Sequence, residues 1–400
     1  MTQQASQIAY SVQPRRVSRS ENRFLILDHT LLLAVVALIA LGLVMVGSSS
    51  TSIAERQTGD AFYYLWRQLA YITVGLGLAA GMLFIPLRVW ERLGLGLILS
   101  CMVLLVMVFI PGLGHEANGS LRWIRFGPVN VQVSEFVKLF VILYLAGYLV
   151  RHNEAVQGSA VGFLRPLVLF LILAVLLLLQ PDFGAVAVIF MTAMGMMWLG
   201  GARLLQFLLL LLSVSGVLAV LALVSPYRME RLTAFLNPWA DPFDSGFQLT
   251  QALIAFGRGE WFGVGLGSSV QKLFYLPEAH TDFLFAVLAE ELGLVTAVLV
   301  IGLFVLIVLR ALAIGRRAEQ REQPYQAFVA YGVGIWIGLQ TFINLGVNMG
   351  LLPTKGLTLP FMSYGGSSMV VMCMAVALLL RVDFEIHRQD RPIQRETHKR

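Results

Sequence analysis

Asp282 stands in the segment Pro277-Glu278-Ala279-His280-Thr281-Asp282-Phe283, directly ahead of a long apolar run. A carboxylate at a helix start is favoured by the helix dipole, so a plain N-terminal carboxylate is the simplest account of it. Two features point further. His280 and Glu278 crowd the same few residues, and the loops expected on the same side of the chain are rich in Lys and Arg. These features single Asp282 out as a candidate site residue. Glu290 and Glu291 follow deeper in the run. On a helical wheel they fall about 80° and about 180° from Asp282, so at most one shares its face.

The cations form the second group. Arg122 and Arg125 in Leu121-Arg122-Trp123-Ile124-Arg125 are three apart, and a short helical turn would bring them together. Glu135 and Lys138 have the same spacing in the first turn of a predicted helix. A Lys there opposes the dipole and calls for Glu135, or a bound anion, as its partner. Arg231 and Arg258 lie in a long loop at 226–282, and Lys355 lies in Leu352-Pro353-Thr354-Lys355-Gly356-Leu357. Together these cations suit an anionic ligand. Gly263-Val264-Gly265-Leu266-Gly267-Ser268 suits either a backbone phosphate cradle or tight packing against a helix. Asn344 and Asn348 sit one turn apart, which suits hydrogen bonding between helices. Ser363 lies in a Pro- and Gly-rich loop, and Ser367 and Ser368 are placed to cap the helix that follows.

The elements that carry these residues are apolar helices. Only 13% of the 400 residues are charged against 58% hydrophobic, and mean hydropathy is +0.76. Soluble domains carry about 25% charged residues. Disordered chains are poor in apolar residues. The net charge of +6 comes from dispersed cations without a basic stripe, so no nucleic-acid partner is expected. The expectation is an all-α polytopic membrane protein with about ten spans. They lie near 30–48, 66–85, 94–110, 134–150, 166–180, 184–200, 204–225, 283–309, 327–349 and 364–381. The breaker cluster Gln180-Pro181-Asp182-Phe183-Gly184 separates the fifth from the sixth.

The predicted organisation is a cytoplasmic tail over 1–28, a transmembrane domain over 29–382 and a cytoplasmic tail over 383–400. A large extracytoplasmic loop at 226–282 joins spans 7 and 8, and its stretch 249–256 suits the membrane surface. With both termini cytoplasmic, most Lys and Arg fall inside, as the topology rule requires. The outer minority comprises Arg56, Arg122, Arg125, Arg228, Arg231, Arg258, Lys272 and Lys355. Insertion does not need these outer cations, so a ligand is the natural reason for them. Cys101 and Cys373 sit in apolar runs, and the six His are scattered, so neither type offers metal-ligand spacing.

Five segments carry a resemblance: Arg122-Trp123-Ile124, Gln180–Gly184, Asn237–Pro242, Pro277–Phe283 and the run from Asn344 to Ser368. Together they resemble the SEDS family (shape, elongation, division, sporulation), with its division-type branch nearest, across about residues 30–381. One position departs from the family pattern, Val133 standing where a Pro is usual before Ser134-Glu135. The resemblance implies a ten-helix peptidoglycan glycosyltransferase that polymerises lipid II on the outer face of the bacterial cytoplasmic membrane at the division septum. It implies as partners a cognate class B penicillin-binding protein and other division proteins. Asp282 would be the base. Arg122, Arg125, Glu135, Lys138, Arg231, Arg258, His280, Asn344, Lys355, Ser363 and Ser367 would line the substrate site. A divalent cation, Mg or Mn, suits a pyrophosphate substrate, though no motif demonstrates one. A lipid II flippase shares the cavity, cations and intramembrane acids but needs no base at the outer boundary. A non-catalytic division scaffold needs no polar cavity.

Overall fold

The computed structural model describes residues 27–389 apart from 118–119, 128, 204, 210, 213–215, 217–234, 245 and 354–355. Arg231, Lys355, most of the span expected at 204–225 and most of the two tails lie outside the described residues. The helices are α1 (His29–Thr58), α2 (Tyr63–Phe84), α3 (Leu87–Met107), α4 (Val133–Arg151), the short α5 (Asn153–Gly158), α6 (Ala160–Leu179) and α7 (Phe183–Leu199). After the long loop come α8 (Phe247–Gly259), α9 (Leu284–Glu319), α10 (Pro324–Asn348) and α11 (Gly366–Gln389). Seven of the described helices are long and apolar enough to cross a membrane.

The side chains behave accordingly. Leu33 is 69% exposed and Phe84 79% exposed, and the outward faces of α1, α2, α3 and α6 carry many more such residues. A water-soluble fold does not present whole helix faces of this kind; hydrocarbon is the solvent that suits them. Helices α4 and α10 form the interior of the bundle. α10 packs along α9, α4 against α3 and α7, and α11 against α2.

α1 runs ten residues past the end expected for it. The polar stretch from Ser48 to Thr58 stays helical because Thr51 and Thr58 return their hydroxyls to carbonyls four residues back, at 2.6 and 2.8 Å. Gly59, with φ 75°, then terminates it in the left-handed conformation. At the start of α1, Asp28 accepts from Leu31 N and pairs with Arg310 of α9 (Nε to Oδ2, 2.9 Å). Arg317, also on α9, pairs with Asp383 of α11 at 3.1 Å. The beginning of α1 and the end of α11 therefore share one end of the bundle with the end of α9. Asp282, ahead of α9, lies at the other end.

One element is not helical. Strands β1 (Gly114–Ala117), β2 (Ser120–Phe126) and β3 (Val129–Gln132) form a small antiparallel sheet between α3 and α4. The helical turn expected for Arg122 and Arg125 is thereby corrected. Residues three apart on a strand point to opposite faces, so the two guanidinium groups diverge.

α9 is broken inside the bundle. Gly293 has φ 78° and ψ −179°, and the helix resumes beyond it. A break frees carbonyls before it and N–H groups after it, which hydrocarbon does not satisfy. The segment 260–265 pairs with two groups of each set. Val264 and Gly265 donate to the carbonyls of Glu290 and Glu291 at 3.0 Å each, while Leu294 and Val295 donate to Glu260 and Trp261 at 2.9 and 3.1 Å. A Cβ on Gly293 would stand 2.4 Å from Gly263 N, and one on Gly263 would stand 2.1 Å from the Glu291 carbonyl. At Gly263, then, the glycine run serves close packing against a helix.

Candidate active site

α10 carries three amides at four-residue spacing, Gln340, Asn344 and Asn348, all buried. This spacing puts them on one face of the helix. That stripe organises the site. Gln340 donates to Thr358 O (3.0 Å) and accepts from Lys138 Nζ (2.9 Å) and Trp336 Nε1 (2.9 Å). Asn344 donates to Leu357 O (2.6 Å) and to Asp282 O (2.9 Å). Asn348 donates to Asp282 O (2.9 Å) and accepts from Ala286 N (3.2 Å).

The loop after α10 completes the clamp. Ser363 Oγ donates to Thr281 O at 2.5 Å and accepts from Leu359 N at 2.9 Å, and Tyr364 N donates to His280 O at 3.0 Å. Three successive carbonyls, those of His280, Thr281 and Asp282, are thus each held by the segment from Asn344 to Tyr364. The backbone is fixed while the Asp282 side chain stays partly exposed, ahead of α9. N-cap Phe283 makes no side-chain cap bond. Gly356 passes beside this carboxyl: a Cβ there would lie 3.0 Å from Asp282 Oδ2.

Electrostatics tune the group. Burial pushes the Asp282 carboxyl up to about 7, the negative charge of Glu278 adds to the rise, and the Arg122 guanidinium opposes it. Glu278 in turn accepts from Thr281 Oγ1 at 2.7 Å. His280 is buried between the rings of Tyr64 and Tyr364, with centroids 4.7 and 5.6 Å away. Burial depresses its basicity and Glu278 partly restores it.

Arg122 lies within the field of Asp282, with Nε and Nη2 donating to the carbonyls of Gln180 (3.1 Å) and Pro181 (2.8 Å). The breaker cluster between α6 and α7 is therefore tied to β2. Arg125 is exposed on the other face of β2, and its Nε reaches Gly127 O at 3.4 Å. Glu135 and Lys138 form a buried ion pair at 2.8 Å, with Lys138 5.5 Å from the Trp336 ring. The second oxygen of Glu135, Oε2, is buried and unpartnered.

Four residues expected to touch substrate have their polar atoms engaged within the protein. Asn344 and Ser363 hold backbone, as above. Ser367 Oγ accepts from Gln132 N at 2.9 Å and so fastens β3 to α11, where a helix cap was expected. Arg258 pairs with the fully buried Glu290 at 2.9 Å, in a cluster where Glu290 also accepts from Ser269 and Val270. Beside it Glu291 pairs with Lys272 at 2.8 Å and accepts from Ser48 of α1. Both glutamates thus serve the seam between α9 and the 258–272 loop, where Arg258 belongs too. Asn348, Gln340, Thr281 and Gly356 were not among the expected site residues. The i, i+4, i+8 amide spacing on α10 was the signal available for the first two.

Among the described residues no three His, Cys, Asp or Glu side chains gather as a metal site. Asp282 and Glu278 alone are short of the oxygen ligands a divalent cation takes, so no catalytic step is derived through one.

A family model described as "Cell cycle protein", covering FtsW, RodA and SpoVE, matches residues 29–388. A Nitrosococcus halophilus protein named "Probable peptidoglycan glycosyltransferase FtsW" is 60% identical over 358 residues, covering 90% of this chain and 92% of its own. A Coxiella burnetii protein of the same name is 54% identical, covering 90% and 96%. Among solved structures, a chain from a study of polymerization and crosslinking by a peptidoglycan synthase complex superposes with a TM-score of 0.75 at 29% identity, over 91% of this chain and all of that one. The rod shape determining protein RodA of Thermus thermophilus superposes with a TM-score of 0.66 at 26% identity, over 90% and 98%. The segments that hold Asp282 in place lie inside the matched region, and the chain belongs to the FtsW/RodA/SpoVE family of cell cycle proteins.

Proposed function

We propose that the chain is a peptidoglycan glycosyltransferase that polymerises lipid II during septal wall synthesis. The observation that carries this reading is the Asp282 carboxyl. It is partly exposed on a clamped backbone, its proton affinity is near neutral, and Arg122 is in electrostatic range. A base that titrates near the working pH is the one best matched to abstracting a hydroxyl proton.

The ionised Asp282 takes the proton of the acceptor GlcNAc 4-hydroxyl. That oxygen attacks the anomeric carbon of the donor MurNAc from the face opposite the leaving group. The bond from that carbon to the pyrophosphate oxygen breaks, the configuration inverts, and undecaprenyl pyrophosphate departs. General-base help supplies about 10²–10⁴-fold. The charge that grows on the pyrophosphate calls for cations, with Arg122 the candidate among the described residues and Arg231 and Lys355 candidates outside them. The Lys138–Glu135 pair is buried against Gln340 and Trp336 of α10. A Mg²⁺ or Mn²⁺ ion, if the reaction draws on one, would have the Glu278 and Asp282 carboxyls as its protein ligands and would supply positive charge to the leaving pyrophosphate.

The topology that goes with this reading puts both termini in the cytoplasm and Asp282 on the extracytoplasmic face of the cytoplasmic membrane. A class B penicillin-binding protein is the expected partner. The broken α9 favours a lipid II transporter, since discontinuous helices recur in transporters. Two of its freed carbonyls and two of its freed N–H groups, however, are taken by 260–265. The test is purified chain with its partner and lipid II in detergent. Detergent has no two leaflets, so flipping cannot score there. Glycan strands support polymerisation; their absence from a folded, partner-bound preparation contradicts it.

A further inference from the structure

We infer that Asn348 is a positioning residue: its side-chain amide takes the place of the backbone hydrogen bond between Asp282 C=O and Ala286 N–H, and so keeps Asp282 outside α9. This rests on the reading of Asp282 as the base. In a regular helix the carbonyl of residue 282 would accept from the N–H of residue 286. Here that bond is opened and both halves are satisfied by one side chain. Asn348 Nδ2 donates to Asp282 O at 2.9 Å, and Asn348 Oδ1 accepts from Ala286 N at 3.2 Å. Ala286 N otherwise turns to Phe283 O at 3.1 Å.

The amide has one orientation available. Its Nδ2 faces two groups that only accept, Asp282 O and the Asn344 carbonyl at 2.8 Å, while its Oδ1 faces an N–H that only donates. Asn348 is the last residue of α10 and is fully buried, so no water competes for these bonds. Asn344 braces the same carbonyl from one turn earlier.

Without the wedge, the two backbone groups are free to pair with each other. α9 then gains one residue at its start, and Asp282 is drawn from its place beside Gly356 to the N-cap position. A misplacement of about 1 Å costs a reacting group about 10²-fold in rate. A carboxylate drawn onto a helix N-terminus is also stabilised as the anion, so its proton affinity falls.

The experiment has two arms in the full-length protein with its partner. In the first, Asn348→Leu is compared with wild type on lipid II. We expect kcat to fall about 10²-fold, KM to change little, and the rising limb of the pH–rate profile to move to lower pH. In the second, Asp282→Cys is labelled with a charged maleimide, with and without Asn348→Leu. Labelling should slow several-fold in the double variant. This arm reads side-chain presentation whatever Asp282 does. If Asn348→Leu does not fold, Asn348→Thr keeps one donor for the Asp282 carbonyl and should show intermediate effects in both arms. Labelling that is unchanged or faster overturns the wedge, whatever the activity does. Labelling that slows while Asp282→Asn still polymerises upholds the wedge and removes the base.

Discussion

Asp282 combines an ordinary residue type with an unusual setting. Its carboxyl holds its proton up to about pH 7, against an ordinary value of 3.8. As a base it works ionised, so kcat/KM should rise with pH and reach half its plateau near pH 7. The stability consequence has the opposite sign. The folded state binds this proton more tightly than the unfolded state, so stability falls as pH rises from about 4 to about 7. Asp282→Asn removes that cost. Thermal melts should show the variant equal to wild type in acid and more stable at pH 8; a variant less stable at pH 8 would refute the burial account. The Glu135–Lys138 pair gives a second residue-scale expectation. Removing one partner strands a buried charge, at about 3–5 kcal/mol. A double-mutant cycle on activity and melting should therefore be strongly non-additive. Additive losses would mean that the 2.8 Å contact carries no coupling.

Elements decide which residues meet, and here legibility from the sequence was uneven. The long apolar helices could be read directly, because about 20 apolar residues in a row have few other uses. The sheet at 114–132 could not. Seven residues of mixed Arg, Trp, Ile and Phe satisfy a short helical turn as well as a strand, and pairing with β1 and β3 settles it. The error moved Arg125 away from Arg122. Asp282, His280 and the Glu135–Lys138 pair stood out from residue type and local spacing. The engagement of Arg258 by Glu290, by contrast, depends on the break at Gly293, which lets 260–265 reach the helix interior. The glycine of Glu290-Glu291-Leu292-Gly293-Leu294 carries no local sign of that. The break makes its own prediction. Gly293→Ala places a methyl group 2.4 Å from Gly263 N at a φ of 78°. It should lower stability by about 1–3 kcal/mol and expose the Val264 and Gly265 amides to hydrogen exchange. Unchanged protection of both amides would mean the two segments are not interlocked.

At the scale of the whole molecule, the bundle has two differently built ends. One ties α1, α9 and α11 together through Asp28, Arg310, Arg317 and Asp383. The other gathers β2, the α6–α7 turn, the start of α9 and the loop after α10 around one carboxyl. Lipid-facing helices hold this second end at a membrane boundary, which is where a substrate with a polar head and a long lipid presents its sugar. The central claim is that this end polymerises lipid II with Asp282 as the base. Its most direct test is glycan-strand synthesis by wild type and Asp282→Asn, each purified with the penicillin-binding protein proposed as its partner and given lipid II in detergent at pH 7.5. The predicted result is strand synthesis by wild type and none above background for Asp282→Asn, with equal partner binding and an intact melt. Substantial strand synthesis by well-folded Asp282→Asn would contradict it.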